Sequence, residues 1–247
     1  MEAARPYRSL APDKVIETIG LLHHRIAERF PGAGLADVCA ELLRIAGENS
    51  NRAESITRRN MPLRTAIIAL LALGLAGLAY IVSLIDFSRA SADSVFSVVQ
   101  GLEAAANLVV LLGAALFFLV SIEVRLKRRR ALAALHELRS IIHVIDMHQL
   151  TKDPSTAVSV GGKTSSSPAR TLSRFELTRY LDYCSEMLSL TAKVAVLFAQ
   201  GFPDPIVTEA VSDIERIAAG LSQKIWQKII ILEALGSEAG QSVGGRQ

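Results

Sequence analysis

Cysteine is scarce in this chain, with only Cys39 and Cys184 among 247 residues. They stand far apart, each inside a helical apolar pattern. Neither belongs to a C-x-x-C pair or a Cys/His zinc spacing. Both read as reduced core residues, since a free thiol packs as a small hydrophobe. Excess charge is slight too: the net charge is +3 despite a pI near 9.0, which gives no argument for nucleic acid as a partner. No H-E-x-x-H or comparable catalytic spacing occurs. A phosphate-binding loop is also missing. GGKTSSS at 161–167 has its closing residues, but Ala157 holds the place of its first glycine and no strand pattern precedes it. No cofactor is expected. Nor is a secretory leader, because the opening residues are polar and the first long apolar run starts near Ala66.

What the chain has in abundance is apolar residues. Half of it is hydrophobic and the mean hydropathy is +0.33, high for a soluble domain of this size. Residues 66–85 and 104–122 contain no charge, and each holds eleven Leu, Ile, Val or Phe. Each stretch is long enough to cross a ~30 Å hydrocarbon core. Insertion is favoured by about 3–7 kcal/mol per stretch before smaller and polar residues are counted. Two transmembrane helices are therefore expected.

Their flanks predict the orientation. Arg58, Arg59 and Arg64 precede the first span, and Arg125, Lys127, Arg128, Arg129 and Arg130 follow the second. The connecting stretch 86–103 has Arg89 against Asp86, Asp93 and Glu103. Basic residues stay inside, so both termini are expected in the cytoplasm and the spans in the plasma (inner) membrane. The basic cluster then lies at the membrane surface, where anionic lipid attracts each residue by about 1 kcal/mol.

Small residues recur in the first span at Ala69, Ala72, Ala76, Ala79 and Ser83. In the second, Asn107, Ala114 and Ser121 repeat at seven. Such faces let helices approach closely, and Asn107 is costly against lipid. Packing within the hairpin or in a homo-oligomer is expected, with a pore lining as the alternative.

The remaining sequence reads as helical. In the N-terminal region, 1–61, Val15, Ile19, Leu22, Ile26 and Phe30 share one face. PGAG at 31–34 breaks the helix, and Leu35, Val38, Cys39, Leu42 and Ala46 resume the pattern. The second span has no Pro or Gly after Gly113 until about Leu150. Residues 125–150 therefore predict a stalk of about 39 Å. Leu138, Ile141, Ile142 and Ile145 make its apolar face; His136, Arg139, His143 and Asp146 share the opposite arc. His143 and Asp146, three apart, can reach one metal, with His136 further back. Zinc takes three or four ligands, so an ordinary polar face is the simpler expectation. His148 falls off the arc and is expected to mark the frayed end.

Residues 151–171 are a Ser/Thr/Gly-rich connector. Ser173 and Glu176 fit a capping box. Leu177, Leu181, Cys184, Leu188, Thr191, Ala195 and Phe198 then follow a 4-3-4-3-4-3 seam. After GFPDP, Asp204 and Pro205 start a helix with Val207, Val211, Ile214, Ala218, Leu221, Ile225, Ile229 and Leu232 on one stripe. Residues 172–235 thus predict an antiparallel helix pair, with the stalk as its third member. The tail 236–247 is expected to be unstructured. Trp226, the only tryptophan, reads as a bundle residue with a charged margin or as an aromatic contact for a protein partner.

The fold expected is an all-α membrane protein. It has a two-helix transmembrane hairpin (62–124), an N-terminal helical hairpin, and a C-terminal cytoplasmic bundle that includes the stalk. This layout is similar to that of SLATT-type effectors of bacterial conflict systems, with no motif residues in common. The function expected is a membrane-anchored helical scaffold or regulatory protein with an unidentified cytoplasmic protein partner. The alternatives are a pore-forming effector or small oligomeric channel, and a membrane-bound metal-dependent enzyme using His143 and Asp146.

Overall fold

The computed structural model describes residues 9–57, 61–84, 92–152 and 172–244. All regular structure among them is α-helical: α1 (Pro12–Arg29), α2 (Gly34–Thr57), α3 (Met61–Leu84), α4 (Ala92–Leu150), α5 (Arg174–Gly201) and α6 (Pro205–Gly244). Arg58, Arg59, most of the connector at 151–171 and the last three residues lie outside the described residues.

Local chemistry sets the helix ends. Proline opens α1, where its missing N–H costs nothing, and Asp13 sits in the first turn. Gly32, at φ +76°, supplies the left-handed step between α1 and α2. At α5 the capping box forms: the Ser173 Oγ accepts from the Glu176 N–H at 3.2 Å, and the Glu176 carboxylate accepts from the Ser173 N–H at 2.7 Å. Hydrogen bonding from Ser173, through its side chain and then its backbone, holds the Glu176 carboxyl below its ordinary pKa. That contribution is present above the normal carboxylate range and disappears as pH falls through the depressed value. Ser173→Ala should cost roughly 1 kcal/mol of stability. Hydrogen exchange in the first turn of α5 checks this, and an unchanged rate there would remove the cap from the account. Asp204 Oδ1 likewise accepts from the N–H groups of Ile206 and Val207 at 3.1 and 3.2 Å, opening α6.

α6 continues to Gly244, past the expected end at 235. No proline interrupts 236–244, and glycine weakens a helix without blocking its hydrogen-bond ladder.

The chain divides into two compact units, Met1–Thr57 with Arg130–Gln247, and Arg58–Arg129. α4 contributes residues to both. The first unit joins the N-terminal hairpin to the C-terminal helices, which the sequence pattern assigned to separate regions. The reason lies in α5. Its expected seam is buried, and so is a second one at Tyr180, Tyr183, Met187, Leu190, Val194 and Leu197. With two apolar stripes, α5 packs against α1, α2 and α6. Phe30, at the end of α1, meets Tyr180 and Tyr183 edge-on, with ring centres 5.5 and 6.2 Å apart. The stalk face Leu138, Ile141, Ile142 and Ile145 is buried in the same core.

The second unit contains α3 and the first part of α4. Gly74 and Gly77 lie against Leu112 and Leu108. A Cβ on Gly74 would come within 2.7 Å of Leu112 Cδ2, and one on Gly77 within 3.4 Å of Leu108 Cδ2. At Gly74 a larger residue would make Leu112 move, whereas at Gly77 a Cβ would make ordinary contact. Among the described residues one helix is long and apolar enough to cross a membrane: the stretch from Val99 along α4 reaches a mean hydropathy of 2.5, with none of that window buried. Thr65–Tyr80 on α3 is a shorter apolar stretch.

Candidate functional site

The carboxyl end of α4 makes side-chain hydrogen bonds to two other helices of the first unit. The apolar stripe Leu138, Ile142, Ile145 carries on at helical spacing to Gln149, which is 2% exposed. A buried amide requires partners. Lys228 Nζ, from α6, donates to Gln149 Oε1 at 2.6 Å and to its backbone carbonyl at 2.9 Å. Gln149 Nε2 donates to Asp146 Oδ1 at 2.6 Å. The same carbonyl accepts from the Lys152 N–H at 3.1 Å. The last carbonyls of a helix have no partner within it, and a cation there complements the macrodipole. Lys228 therefore caps α4 from a different helix.

Two further contacts hold this end. His148 Nδ1 lies 3.3 Å from the Tyr180 hydroxyl on α5. The His148 Cε1 would be 3.0 Å from a Cβ on Gly34, the first residue of α2, so a larger residue there would press on the imidazole. The Lys152 ammonium stands 5.0 Å from the centre of the Tyr180 ring, within reach of its π face. Burial pushes the Tyr180 hydroxyl up, so it stays protonated at neutral pH. Nearby, Arg25 of α1 pairs with Glu186 of α5 at 2.8 Å, and the Arg25 and Arg179 guanidiniums lie 6.0 and 5.1 Å from the Tyr183 ring centre. The ion pair is partly exposed and contributes little beyond register.

Both thiols are buried. Burial pushes Cys184 up to about 12, opposed by the charges of Lys228 and Lys152. Burial does the same at Cys39, also to about 12, opposed by Arg25. Thiolate is the reactive form. Neither cysteine should consume maleimide at pH 8 on the timescale of an exposed thiol. Rapid labelling of the native chain would remove them from the core.

Chemically, this arrangement holds helices together. At the end of α4, His148 meets Tyr180 of α5 and Gln149 is held by Lys228 of α6.

No protein-family model, no curated protein and no solved structure is similar to this chain. Function therefore has to be read from its own residues.

The expected site residues are dispersed. His136 and His143 are exposed on α4, while Asp146 is half-buried and engaged by Gln149. Among the described residues, no three His, Cys, Asp or Glu side chains converge as a metal-holding group. His148, expected at a frayed end, is instead pinned between α2 and α5. In the second unit Ala69, Ala72, Ala76, Ala79 and Ser83 are exposed, as are Asn107 and Ala114; Ser121 is half-buried. Gly74 makes a close contact with Leu112 of α4. Arg125, Arg129 and Arg130 are exposed, and Lys127 and Arg128 are half-buried. Lys127 pairs with Glu123 at 2.8 Å. Trp226 is 54% exposed.

Gln149 and Lys228 were missed as partners in the sequence. Gln149 had a signal, because it occupies the next position of the stripe Leu138, Ile142, Ile145. Lys228 had none, because charged residues flank buried stripes everywhere.

Proposed function

We propose that the protein is a membrane-anchored helical scaffold or regulatory protein. In this reading α3 and α4 cross the bilayer as a hairpin, with both termini in the cytoplasm of a cell whose plasma membrane holds the spans. The helical unit is presented to a protein partner or to a second copy. The observation that carries this is the outward apolar surface of residues 65–122, where Leu71, Leu73, Leu75, Val109, Val110 and Phe117 are exposed. Water-soluble monomers rarely expose contiguous apolar patches beyond a few hundred Å², and lipid removes that cost. The basic cluster 125–130 follows immediately in sequence.

The locked end of α4 suggests how such a protein works. A displacement of α4 is passed directly to α5 and α6 through His148, Gln149 and Lys228. Trp226 and Ile230, one turn apart and both exposed on α6, are the contact assigned to the partner.

A reporter fused after Gln247 tests topology: activity only in the external compartment would sink the reading. Capture by the full chain, compared with its Trp226→Ala variant, tests the partner surface.

A pore-forming oligomer is the second reading. It is favoured by Asn107, a polar side chain exposed on the outer face of an apolar helix. Liposomes carrying the protein distinguish the two. A scaffold leaves dye retention unchanged, whereas leakage that is abolished by Asn107→Leu supports the pore.

A further inference from the structure

A recess of about 650 Å³ runs along α5 and α6. Most of its lining is small: Ser185, Ser189 and Ala192 come from α5, and Ala218, Ala219 and Ser222 from α6. Its charged members are Lys193 and Glu215. Lys193 lies eight residues before the end of α5 and Glu215 ten residues after the start of α6. Both therefore mark the end of the recess nearer the connecting loop. The Lys193 ammonium donates to the Ser189 hydroxyl at 2.6 Å and keeps two further donors.

The helix that helps to form this hole also carries a knob. At about 100° per residue, Glu215, Ala219, Ser222, Trp226, Ile230 and Glu233 fall within an arc of about 80° on α6. Trp226 is 54% exposed and Ile230 59%. Trp226 follows Ala219 by about 10 Å along the axis, and it lies outside the recess of its own chain. A second copy, turned about a two-fold axis that crosses α6 at Ser222, brings knob and hole together. The two α6 helices then run antiparallel. Each Trp226 faces the partner's Ala219, and each Ile230 faces the stem of the partner's Glu215. Glu233 arrives at the end of the recess where the partner's Lys193 stands, so the charges are complementary as well. A parallel two-fold contact would set Trp226 beside itself and leave the recess empty. We propose that this face of α5 and α6 binds a second copy of the chain, with the indole of each seated in the recess of the other. Such a contact uses the same surface on both copies, so it closes as a dimer. A large aromatic side chain in a pocket is the usual anchor of an interface. The inference rests on the role given above to Trp226 and Ile230, and names what covers them.

Ser222→Cys in the full chain, purified in detergent, reads the axis directly, because a two-fold contact places that residue next to itself. Mild oxidation should give a disulfide-linked dimer. Gln227→Cys, about 100° round the helix from Trp226, should not. Cys39 and Cys184 are buried and do not compete. Light scattering over a dilution series then measures the dissociation constant of the dimer. Trp226→Ala should weaken the dimer about 30-fold. Ala219→Trp, which fills the recess from an exposed position, should do the same. Lys193→Glu should weaken it about fivefold, and adding Glu233→Lys should restore most of that loss. No cross-link at position 222, or an equal one at 227, would overturn the proposal. So would a dimer that ignores both Trp226→Ala and Ala219→Trp, because its contact would lie elsewhere. A monomeric chain whose capture of a different protein is lost in Trp226→Ala would also overturn it, while leaving the scaffold reading in place. Protection of Cys39 and Cys184 from maleimide verifies that each variant is folded.

Discussion

Ile142→Ala should lower the stability of the helical unit by about 2–5 kcal/mol, the largest single effect expected from a conservative truncation here. Ile142 is fully buried in the centre of the α4 stripe, with Leu138 and Ile145 one turn to either side and equally buried. The surrounding core collapses only partly around a deleted side chain, so the loss combines the transfer free energy of the missing atoms with a cavity. The two units make a single melting temperature a poor measure. The buried thiols are a better one. If Cys184 reacts only when the unit opens, a loss of 2–5 kcal/mol accelerates its labelling roughly 30- to 5,000-fold. Ile142→Val should give a graded effect of about 0.5–1.5 kcal/mol. An Ile142→Ala acceleration below about tenfold would mean that α4 is not part of this core.

Lys228→Met is expected to cost about 1–3 kcal/mol, and to act on one end of one helix. The substitution keeps the apolar stem and removes the donor to two oxygens of Gln149. Gln149 is 2% exposed, so water does not replace the lost bonds. Amide exchange should speed up around residues 146–152 while the middle of α1 keeps its protection. Adding Gln149→Leu to Lys228→Met removes the orphaned side-chain amide as well, and should return part of the loss. Unchanged exchange at the end of α4 in Lys228→Met would show that Lys228 is not its cap.

The sequence made the helices legible because apolar spacing and cap chemistry are local. Ser173 with Glu176, Asp204 before Pro205, and the Pro31–Gly34 break all act within a few residues of where they stand. The stripe on α6 is buried as its 3.6-residue period requires, with Leu221 only partly covered. What was hidden is the choice of neighbours. A seam of seven residues on α5 was sufficient for a helix pair, and Tyr180, Tyr183 and Met187 looked like its margin. They are a second seam, which takes in the N-terminal hairpin. The alanine stripe of α3 was read as a packing face within the hairpin or an oligomer, and Gly74, which lies too close to Leu112 for a Cβ, was not singled out. Of the candidate site, the stalk's apolar face was visible. Its closing contacts were not, because His148 finds Tyr180 and Lys228 finds Gln149 only across 32 and 79 residues of chain.

The two seams of α5 carry a consequence for how this chain can vary. One residue gained or lost between Leu177 and Phe198 would turn everything beyond it by about 100°. Each row of side chains would then be presented to the wrong client, and no single-sided repair could restore both. A helix with one neighbour can absorb such a slip by rotating; one committed on two flanks cannot. In any lineage of this protein α5 should act as a ruler of fixed length, with insertions and deletions collecting elsewhere.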